Sequence, residues 1–166
     1  DSSLRLVGSE MCIRDRGKDV DQGNFFTEDA AKVRSRINVL TGGMTLDNLA
    51  AFLRAHGVSV GVHHADSFGV EQFRTTVLQN LARPDDYLLV NYQRETLGQR
   101  RVGHISPLAA YDLETDSVLI MDTATYNYPP TWVPLEKLYA AMETTDSASG
   151  KFRGYVEVTG FEVRAQ

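Results

Sequence analysis

The sequence predicts an α+β protein in which a helical part is followed by an antiparallel sheet, packed as two layers. Helical periodicity marks residues 44–57 and 70–81, alternating apolar patterns dominate the chain after residue 85, and a short polar stretch joins two of the predicted strands. The chain has 166 residues, of which 42% are hydrophobic and 23% are charged. These values are typical of one globular domain.

The composition also excludes several classes of partner and site. Lys and Arg (17) are outnumbered by Asp and Glu (22), and the basic residues are scattered, so no basic stripe is available to bind a nucleic acid. No apolar run approaches the roughly 18 residues of a membrane span, so we expect no membrane partner. Cys12 is the single cysteine, which excludes an intrachain disulfide and a cysteine-rich zinc site.

Residues 1–23 lack the patterns of the remaining chain and show no sustained period of 3.6 or 2. Within them, residues 9–16 (SEMCIRDR) resemble a peptide that recurs at the ends of translated metagenomic reads, where sequencing adaptor has been translated as protein. We therefore interpret residues 1–23 as a non-native, adaptor-derived and disordered segment. Residues 24–166 then form the folded domain.

Two amphipathic helices are predicted in the first half of the chain. Residues 44–57 carry apolar side chains at positions 46, 49, 50 and 53, which share one helical face. Thr45 provides a hydroxyl that caps the first turn, and Gly57 ends the helix. The second helix is predicted over residues 70–81, with Ser67 as its cap.

Alternating apolar residues and turn residues define the predicted sheet. A polar loop at residues 112–116 joins two strands as a hairpin, residues 105–107 form a turn, and the proline pair at residues 129–130 ends regular structure. The predicted strands cover residues 58–63, 86–93, 103–111, 117–121 and 154–159, and a short helix covers residues 135–142.

His104 and Asp122 are the two side chains whose positions suggest chemistry. His104 lies at the start of one predicted strand, and Asp122 follows the end of the next, so pairing of the two strands brings both to one edge of the sheet. A carboxylate there would fix the tautomer of the imidazole and stabilise its protonated form, as a base in nucleophilic catalysis requires. The alternative is a histidine satisfied by a backbone carbonyl and a surface aspartate in a turn, and spacing alone favours that alternative.

Four ordered blocks of sequence resemble the phytochelatin synthase family, and the resemblance extends from about residue 24 to residue 159. Together the four blocks are specific, although each alone is weak. They are residues 103–111 (GHISPLAAY), 119–122 (LIMD), 126–133 (YNYPPTWV) and 146–155 (DSASGKFRGY).

The resemblance implies a papain-like cysteine peptidase fold and a Cys-His-Asp triad that acts on glutathione. His104 matches the catalytic histidine of the family, and Asp122 matches the aspartate that orients it. In that family a cysteine thiolate attacks the carbonyl of the Cys-Gly bond, glycine leaves, and the acyl group passes to a second glutathione or to water. The resemblance therefore implies a transferase of heavy-metal detoxification. We expect no cofactor. Metals such as cadmium and zinc would act as thiolate complexes of the substrate, so we predict no metal site in the protein.

Asp146 and Arg153 match positions that hold the γ-glutamyl end of the substrate in this family. That end carries a free ammonium, which an aspartate can bind, and a free carboxylate, which an arginine fork can bind through two hydrogen bonds. The alternative is that both charges lie on a solvated face.

The family's nucleophile follows a tyrosine and precedes a glycine, at the start of a helix. Cys12 is flanked by Met11 and Ile13 and does not match this context, so we do not assign it as the nucleophile. Residues 24–166 are accordingly interpreted as a partial catalytic domain, incomplete at its amino terminus, and the polypeptide itself is expected to be inactive. The competing hypothesis is a non-catalytic glutathione-binding module that lacks the nucleophile. A homodimer and a cytoplasmic or periplasmic location both stay open.

Two further groups of residues have a functional and a structural interpretation. His63 and His64 form a histidine pair, but neighbours on a strand point to opposite faces, which disfavours a shared metal. Arg94, Arg100 and Arg101 form a basic loop that either steers anionic glutathione or is a solvated turn.

Overall fold

The computed structural model describes residues 14–15, 18–19, 25–125 and 127–161. It confirms an α+β protein in which helices precede most of an antiparallel sheet. The helices are α1 (Glu28–Val33), α2 (Arg36–Gly42), α3 (Leu46–Ala55), α4 (Val70–Leu81) and α5 (Leu135–Met142), with 3-10 helices at Ala65–Ser67 and Arg94–Leu97. The strands are β1 (Arg14–Asp15), β2 (Lys18–Asp19), β3 (Val58–His64), β4 (Asp86–Gln93), β5 (Gly103–Asp112), β6 (Ser117–Ile120), β7 (Thr131–Pro134) and β8 (Gly154–Phe161).

The main sheet has six antiparallel strands in the order β3-β8-β4-β5-β6-β7. The last described strand, β8, lies between β3 and β4 and pairs with both. Strands β1 and β2 form a separate pair. Of residues 1–23, interpreted from the sequence as a non-native segment, the structure describes only β1 and β2, so that interpretation stays a prediction.

Helices cover both faces of the main sheet, which differs from the predicted two-layer packing. Successive residues of β8 point to opposite faces, so Tyr155 joins one core cluster and Val156 joins the other. On the first face α4 and α5 provide buried side chains such as Phe73 and Leu138, and on the second face α3 provides Leu46 and others. The site therefore belongs to a sheet that is held on both sides by apolar packing.

The two predicted amphipathic helices are confirmed as α3 and α4, but one predicted cap is wrong. Thr45 Oγ1 accepts a hydrogen bond of 3.2 Å from the amide of Asn48, as a helix cap does. At α4 the preceding residue is Gly69, which provides no side-chain cap. Ser67 instead donates to the carbonyl of His64 at 2.7 Å, within a 3-10 helix.

The predicted turn at residues 105–107 is wrong, because β5 continues through it. Pro107 lies opposite Leu89 of β4, and its carbonyl accepts a hydrogen bond of 3.0 Å from the amide of Met121. The β5–β6 ladder shifts register between Leu108 and Ala110. A proline has no amide hydrogen to donate, and an irregular part of a ladder is where strands tolerate one.

Elements α1, α2 and β7 were not predicted from the sequence. Helix α2 has seven residues, none of them buried, which is too short a segment to show a sustained apolar period. Strand β7 follows directly on the proline pair at residues 129–130. That pair was interpreted as the end of regular structure, so no strand was predicted after it. Among the described residues no helix combines the length and the apolar character needed to cross a membrane.

Candidate active site

One edge of the main sheet gathers the side chains that were singled out from the sequence. Because β4, β5 and β6 are antiparallel neighbours, the end of β4, the start of β5 and the end of β6 all lie at this edge. Tyr92 of β4 lies directly opposite His104 of β5, and Asp122 follows β6 by two residues. The predicted pairing of the two strands is thus observed.

His104 and Asp122 form a hydrogen-bonded pair. Nε2 of His104 lies 3.0 Å from Oδ1 of Asp122, and the Thr123 hydroxyl lies 3.2 Å from the same nitrogen. The Asp122 side chain is 4% exposed and the His104 side chain is 22% exposed. Asp122 is therefore not the surface aspartate of the alternative interpretation. Among the described residues Nδ1 of His104 has no hydrogen-bond partner, so this nitrogen can accept a proton from a reacting group.

Arg94 completes the group around Asp122 and was not predicted as part of it. Its side chain is 2% exposed, with Nη1 located 2.6 Å from Oδ2 of Asp122 and Nη2 donating to Oδ1 at 2.9 Å. The predicted solvated or steering loop is thus wrong for Arg94. A pair of residues 28 positions apart has no local pattern, so the sequence alone gave no signal for this contact.

Several donors hold Asp122 in its ionised form. Burial by itself raises the pKa of Asp122, but hydrogen bonds from Arg94 and from the amide of Ala124, with the charges of His104 and Arg94, outweigh burial and bring the pKa below the ordinary 3.8. The Ala124 amide lies 2.8 Å from Oδ1, and the Tyr92 hydroxyl donates to Oδ2 at 3.4 Å. Asp122 is accordingly a carboxylate at neutral pH, fixed in orientation from several sides.

His104 is held as a neutral imidazole at neutral pH. Burial lowers its pKa, the positive charge of Arg94 lowers it further, and the opposing effect of Asp122 is smaller, so that the pKa lies below the ordinary 6.5. Asp122 does stabilise the protonated ring, as expected, but burial and Arg94 outweigh that effect. A neutral imidazole that is oriented by a carboxylate is suited to accept a proton from a nucleophile.

The titration of His104 is a direct test of this environment. We expect its imidazole to titrate with a midpoint below 6.5. Because the unfolded chain then binds the proton more readily than the folded one, the free energy of unfolding should decrease as the pH falls through 6.5 and level off below the folded-state pKa. Histidine NMR spectra, assigned with a His104→Gln variant, and urea unfolding at several pH values measure both effects. A midpoint above that of a free histidine would contradict the assignment.

Asp146 and Arg153 also lie together, and both are buried. Arg153 Nη1 is 3.7 Å from Oδ1 of Asp146 and donates to Oδ1 of Asn91 at 3.2 Å, and Nε donates to the Thr144 hydroxyl at 3.2 Å. The alternative of two charges on a solvated face is therefore wrong. Burial lowers the pKa of Arg153 and Asp146 opposes that effect. Asn91 and Thr144 were not predicted, because only the tertiary fold brings them to the arginine.

Gly103 connects this pair to the histidine. A Cβ atom on Gly103 would lie 2.6 Å from Nη1 and 2.9 Å from Cζ of Arg153, so the guanidinium occupies the space that a side chain would fill. Gly103 directly precedes His104 in β5. Arg153 therefore packs against the residue that directly precedes His104 on β5.

The two adjacent histidines of β3 have separate surroundings. His63 stacks on Tyr155 with a centroid distance of 4.6 Å. His64 Nδ1 donates to the carbonyl of Phe152 at 2.6 Å, and its Nε2 lies 3.3 Å from Asp47 Oδ1. In the part of the chain that the structure describes, no group of three or more His, Cys, Asp or Glu side chains could hold a metal ion. Cys12 lies outside the described residues.

Comparison with known proteins decides the family. The sequence model described as phytochelatin synthase matches residues 2–155. The chain belongs to the phytochelatin synthase family. The match to the phytochelatin synthase family begins inside the segment that was interpreted as adaptor-derived, and that interpretation stays a prediction.

Curated relatives in the phytochelatin synthase family are much longer than the matched region. Glutathione gamma-glutamylcysteinyltransferase 3 of Lotus japonicus is 39% identical over 117 residues, which are 70% of this chain and 24% of that protein. Glutathione gamma-glutamylcysteinyltransferase 2 of Arabidopsis thaliana is 30% identical over 159 residues, 95% of this chain and 35% of that protein. Glutathione gamma-glutamylcysteinyltransferase of Schizosaccharomyces pombe is 29% identical over 123 residues, 74% of this chain and 30% of that protein. The chain therefore spans between about a quarter and a third of the length of these relatives.

Proposed function

We propose that this chain carries the base and the substrate pocket of an acyltransferase that acts on glutathione within a papain-like cysteine peptidase fold. The observation that carries the proposal is the contact of 3.0 Å between Nε2 of His104 and the buried carboxylate of Asp122. The names of the relatives, glutathione gamma-glutamylcysteinyltransferases, support glutathione as the substrate.

The proposed reaction has two steps. A cysteine thiol transfers its proton to His104, and the thiolate attacks the carbonyl carbon of the Cys-Gly bond of glutathione. The C–N bond breaks, the imidazolium returns the proton to the nitrogen of the departing glycine, and a γ-glutamylcysteinyl thioester is left on the enzyme. The amine of a second glutathione, or water, then attacks the thioester and releases the thiol. Water gives γ-glutamylcysteine and a second glutathione gives a phytochelatin.

The hydrogen bonding of His104 supports its role in this scheme. Asp122 and Thr123 both lie within hydrogen-bond distance of Nε2. Because a carboxylate accepts a hydrogen bond from an N–H group, the neutral ring carries its proton on Nε2. The lone pair is then on Nδ1, which among the described residues is free to face the thiol. The nucleophile belongs to no described residue, and we do not assign it to Cys12.

The γ-glutamyl end of the substrate fits the Asp146–Arg153 pair. The two side chains are 3.7 Å apart, which is longer than a hydrogen bond. Within the described residues, Oδ2 of Asp146 and Nη2 of Arg153 have no hydrogen-bond partner. Oδ2 of Asp146 can accept a hydrogen bond from the α-ammonium of the substrate, and Nη2 of Arg153 can donate one to its α-carboxylate. Cadmium or zinc would arrive as part of the substrate, bound to glutathione thiolates.

Glycine release from glutathione tests the proposed function. The comparison uses the 166-residue chain, its Cys12→Ser variant and the protein encoded by the reading frame at its locus. We expect the 166-residue chain to bind glutathione in calorimetry without releasing glycine. The product of the reading frame is expected to release glycine and to form a thioester detectable by mass spectrometry.

Two other outcomes would change the interpretation. Glycine release by the 166-residue chain that is lost in Cys12→Ser would identify Cys12 as the nucleophile. Glutathione binding by the product of the reading frame, with no glycine release, would favour the non-catalytic binding module and reject the acyltransferase.

A further inference from the structure

We propose that Arg94 is a positioning residue of this site, whose guanidinium fixes the Asp122 carboxylate and balances its charge so that Asp122 orients His104. The inference rests on the proposed function in one respect, that His104 is the base. It follows from the contact of Arg94 with Asp122 and the contact of Asp122 with His104.

The contact between Arg94 and Asp122 is a two-point contact. Nη1 of Arg94 lies 2.6 Å from Oδ2 of Asp122, and Nη2 donates to Oδ1 at 2.9 Å. Oδ1 is shared, because it also lies 3.0 Å from His104 Nε2. Two parallel contacts fix the plane of a carboxylate, whereas one contact leaves it free to rotate. Arg94 therefore helps to set the direction of the lone pair that meets the imidazole, together with the Ala124 amide and the Tyr92 hydroxyl.

Arg94 is itself held in place by several contacts. Its Nη1 donates to Oε1 of Gln99 at 2.7 Å, and its guanidinium carbon lies 4.1 Å from the centroid of the Tyr128 ring. The backbone closes around it, since the amide of Arg94 donates to the carbonyl of Val102 at 3.0 Å. Supporting contacts of this kind keep a functional group in its productive geometry.

Charges of both signs surround His104. From β4 the ring faces the neutral phenol of Tyr92, from the segment after β6 it faces Asp122 and Thr123, and Arg94 lies behind Asp122. Arg153 packs against the neighbouring Gly103. A buried carboxylate alone would draw a proton onto the ring, and the positive charge of Arg94 opposes this.

The consequence is a division of roles between orientation and protonation. Asp122 fixes the tautomer, while Arg94 prevents the carboxylate from making the imidazolium too stable. A less stable imidazolium is a stronger acid, which favours proton return to the departing glycine nitrogen. Arg94 would thereby favour the return of the proton, and it would support proton uptake only by orienting Asp122, without touching the substrate.

Histidine NMR of the 166-residue chain tests the proposal without requiring catalysis. We expect Arg94→Gln to raise the titration midpoint of His104 above that of the unmodified chain. Arg94→Lys keeps the charge but loses the fork, so the midpoint should change less while the ¹⁵N shifts show a smaller fraction of the Nε2–H tautomer. In the product of the reading frame, Arg94→Gln should lower kcat for glycine release by about 10- to 100-fold with KM unchanged, as for a misplaced catalytic group.

Arg74→Gln is the matched control. Arg74 also binds a carboxylate through two nitrogens, Nε at 3.0 Å and Nη2 at 2.8 Å from Asp116, but at the turn of the β5–β6 hairpin, the end opposite to His104. Loss of this pair should affect stability while leaving the midpoint and tautomer of His104 unchanged. An effect on His104 equal to that of Arg94→Gln would show that the shift reflects general loosening and would overturn the proposal.

Two further results would also overturn it. Folded Arg94→Gln and Arg94→Lys proteins with an unchanged midpoint and tautomer exclude a positioning role. If Arg94→Gln does not fold, Arg94→Lys decides, because an unchanged tautomer there shows that the fork is not needed. Absence of glycine release from every protein, with the NMR changes present, would reject the acyltransferase function and leave the Arg94 effect standing.

Discussion

Replacing His104 with alanine is expected to reduce kcat for glycine release from glutathione by about 10²- to 10⁴-fold in the catalytically competent protein, the range typical of a lost general base. His104 is the described imidazole that is oriented by a buried carboxylate, and its Nδ1 has no partner among the described residues. Without it the thiol has no base to take its proton and the departing glycine has no acid. Single-turnover measurement of glycine release checks this.

His63→Ala is the control for the loss of an imidazole. His63 lies on β3, stacks on Tyr155 and has its Nε2 3.6 Å from Glu157, so it belongs to another part of the sheet. Its removal should leave glycine release unchanged. Activity of His104→Ala equal to that of His63→Ala would remove His104 from the mechanism.

Replacing Arg153 with alanine is expected to weaken glutathione binding by about 100-fold, as happens when one member of a buried charge pair is removed. The guanidinium is buried beside Asp146 and against Gly103, and it is proposed to bind the α-carboxylate of the γ-glutamyl end. Alanine removes this donor and leaves Asp146 without its cation. Calorimetric titration of glutathione into each protein measures the change.

Two variants separate binding from folding in this experiment. Arg153→Lys keeps a charge but loses the fork, so an intermediate affinity is expected. Arg83→Ala removes an exposed arginine that pairs with Asp86, and it should leave the affinity unchanged. If folded Arg153→Ala and Arg153→Lys proteins both bind glutathione as the unmodified chain does, Arg153 has no part in binding.

The elements that were predicted correctly are those whose own residues carry an apolar period. Helix α4 and strand β4 were predicted with the observed bounds, because their buried side chains recur at helical and alternating spacing. Helix α2 has only seven residues and none of them is buried, so its apolar residues do not form a period long enough to predict a helix. The interruption expected at residues 105–107 followed from Pro107, whose place in a β5 ladder depends on neighbouring strands.

The residues of the candidate site also differ in whether a pattern in the sequence predicted them. The hairpin predicted from the sequence already placed His104 and Asp122 close together, because one short loop fixes the register of both strands. Asp146 and Arg153 were found through family resemblance, and their mutual contact came from the structure. Arg94 was missed because an isolated arginine in a polar loop gives no indication of a buried partner.

The central position of β8 has a consequence for how the protein is made. Arg153 precedes β8, and β8 must enter between β3 and β4, which are separated from it by a large part of the chain. A nascent polypeptide on the ribosome therefore cannot assemble the Asp146–Arg153 pair until this late segment has emerged. Since such distant pairings form slowly, the His104–Asp122 pair on the β5–β6 hairpin can organise before the Asp146–Arg153 pair exists.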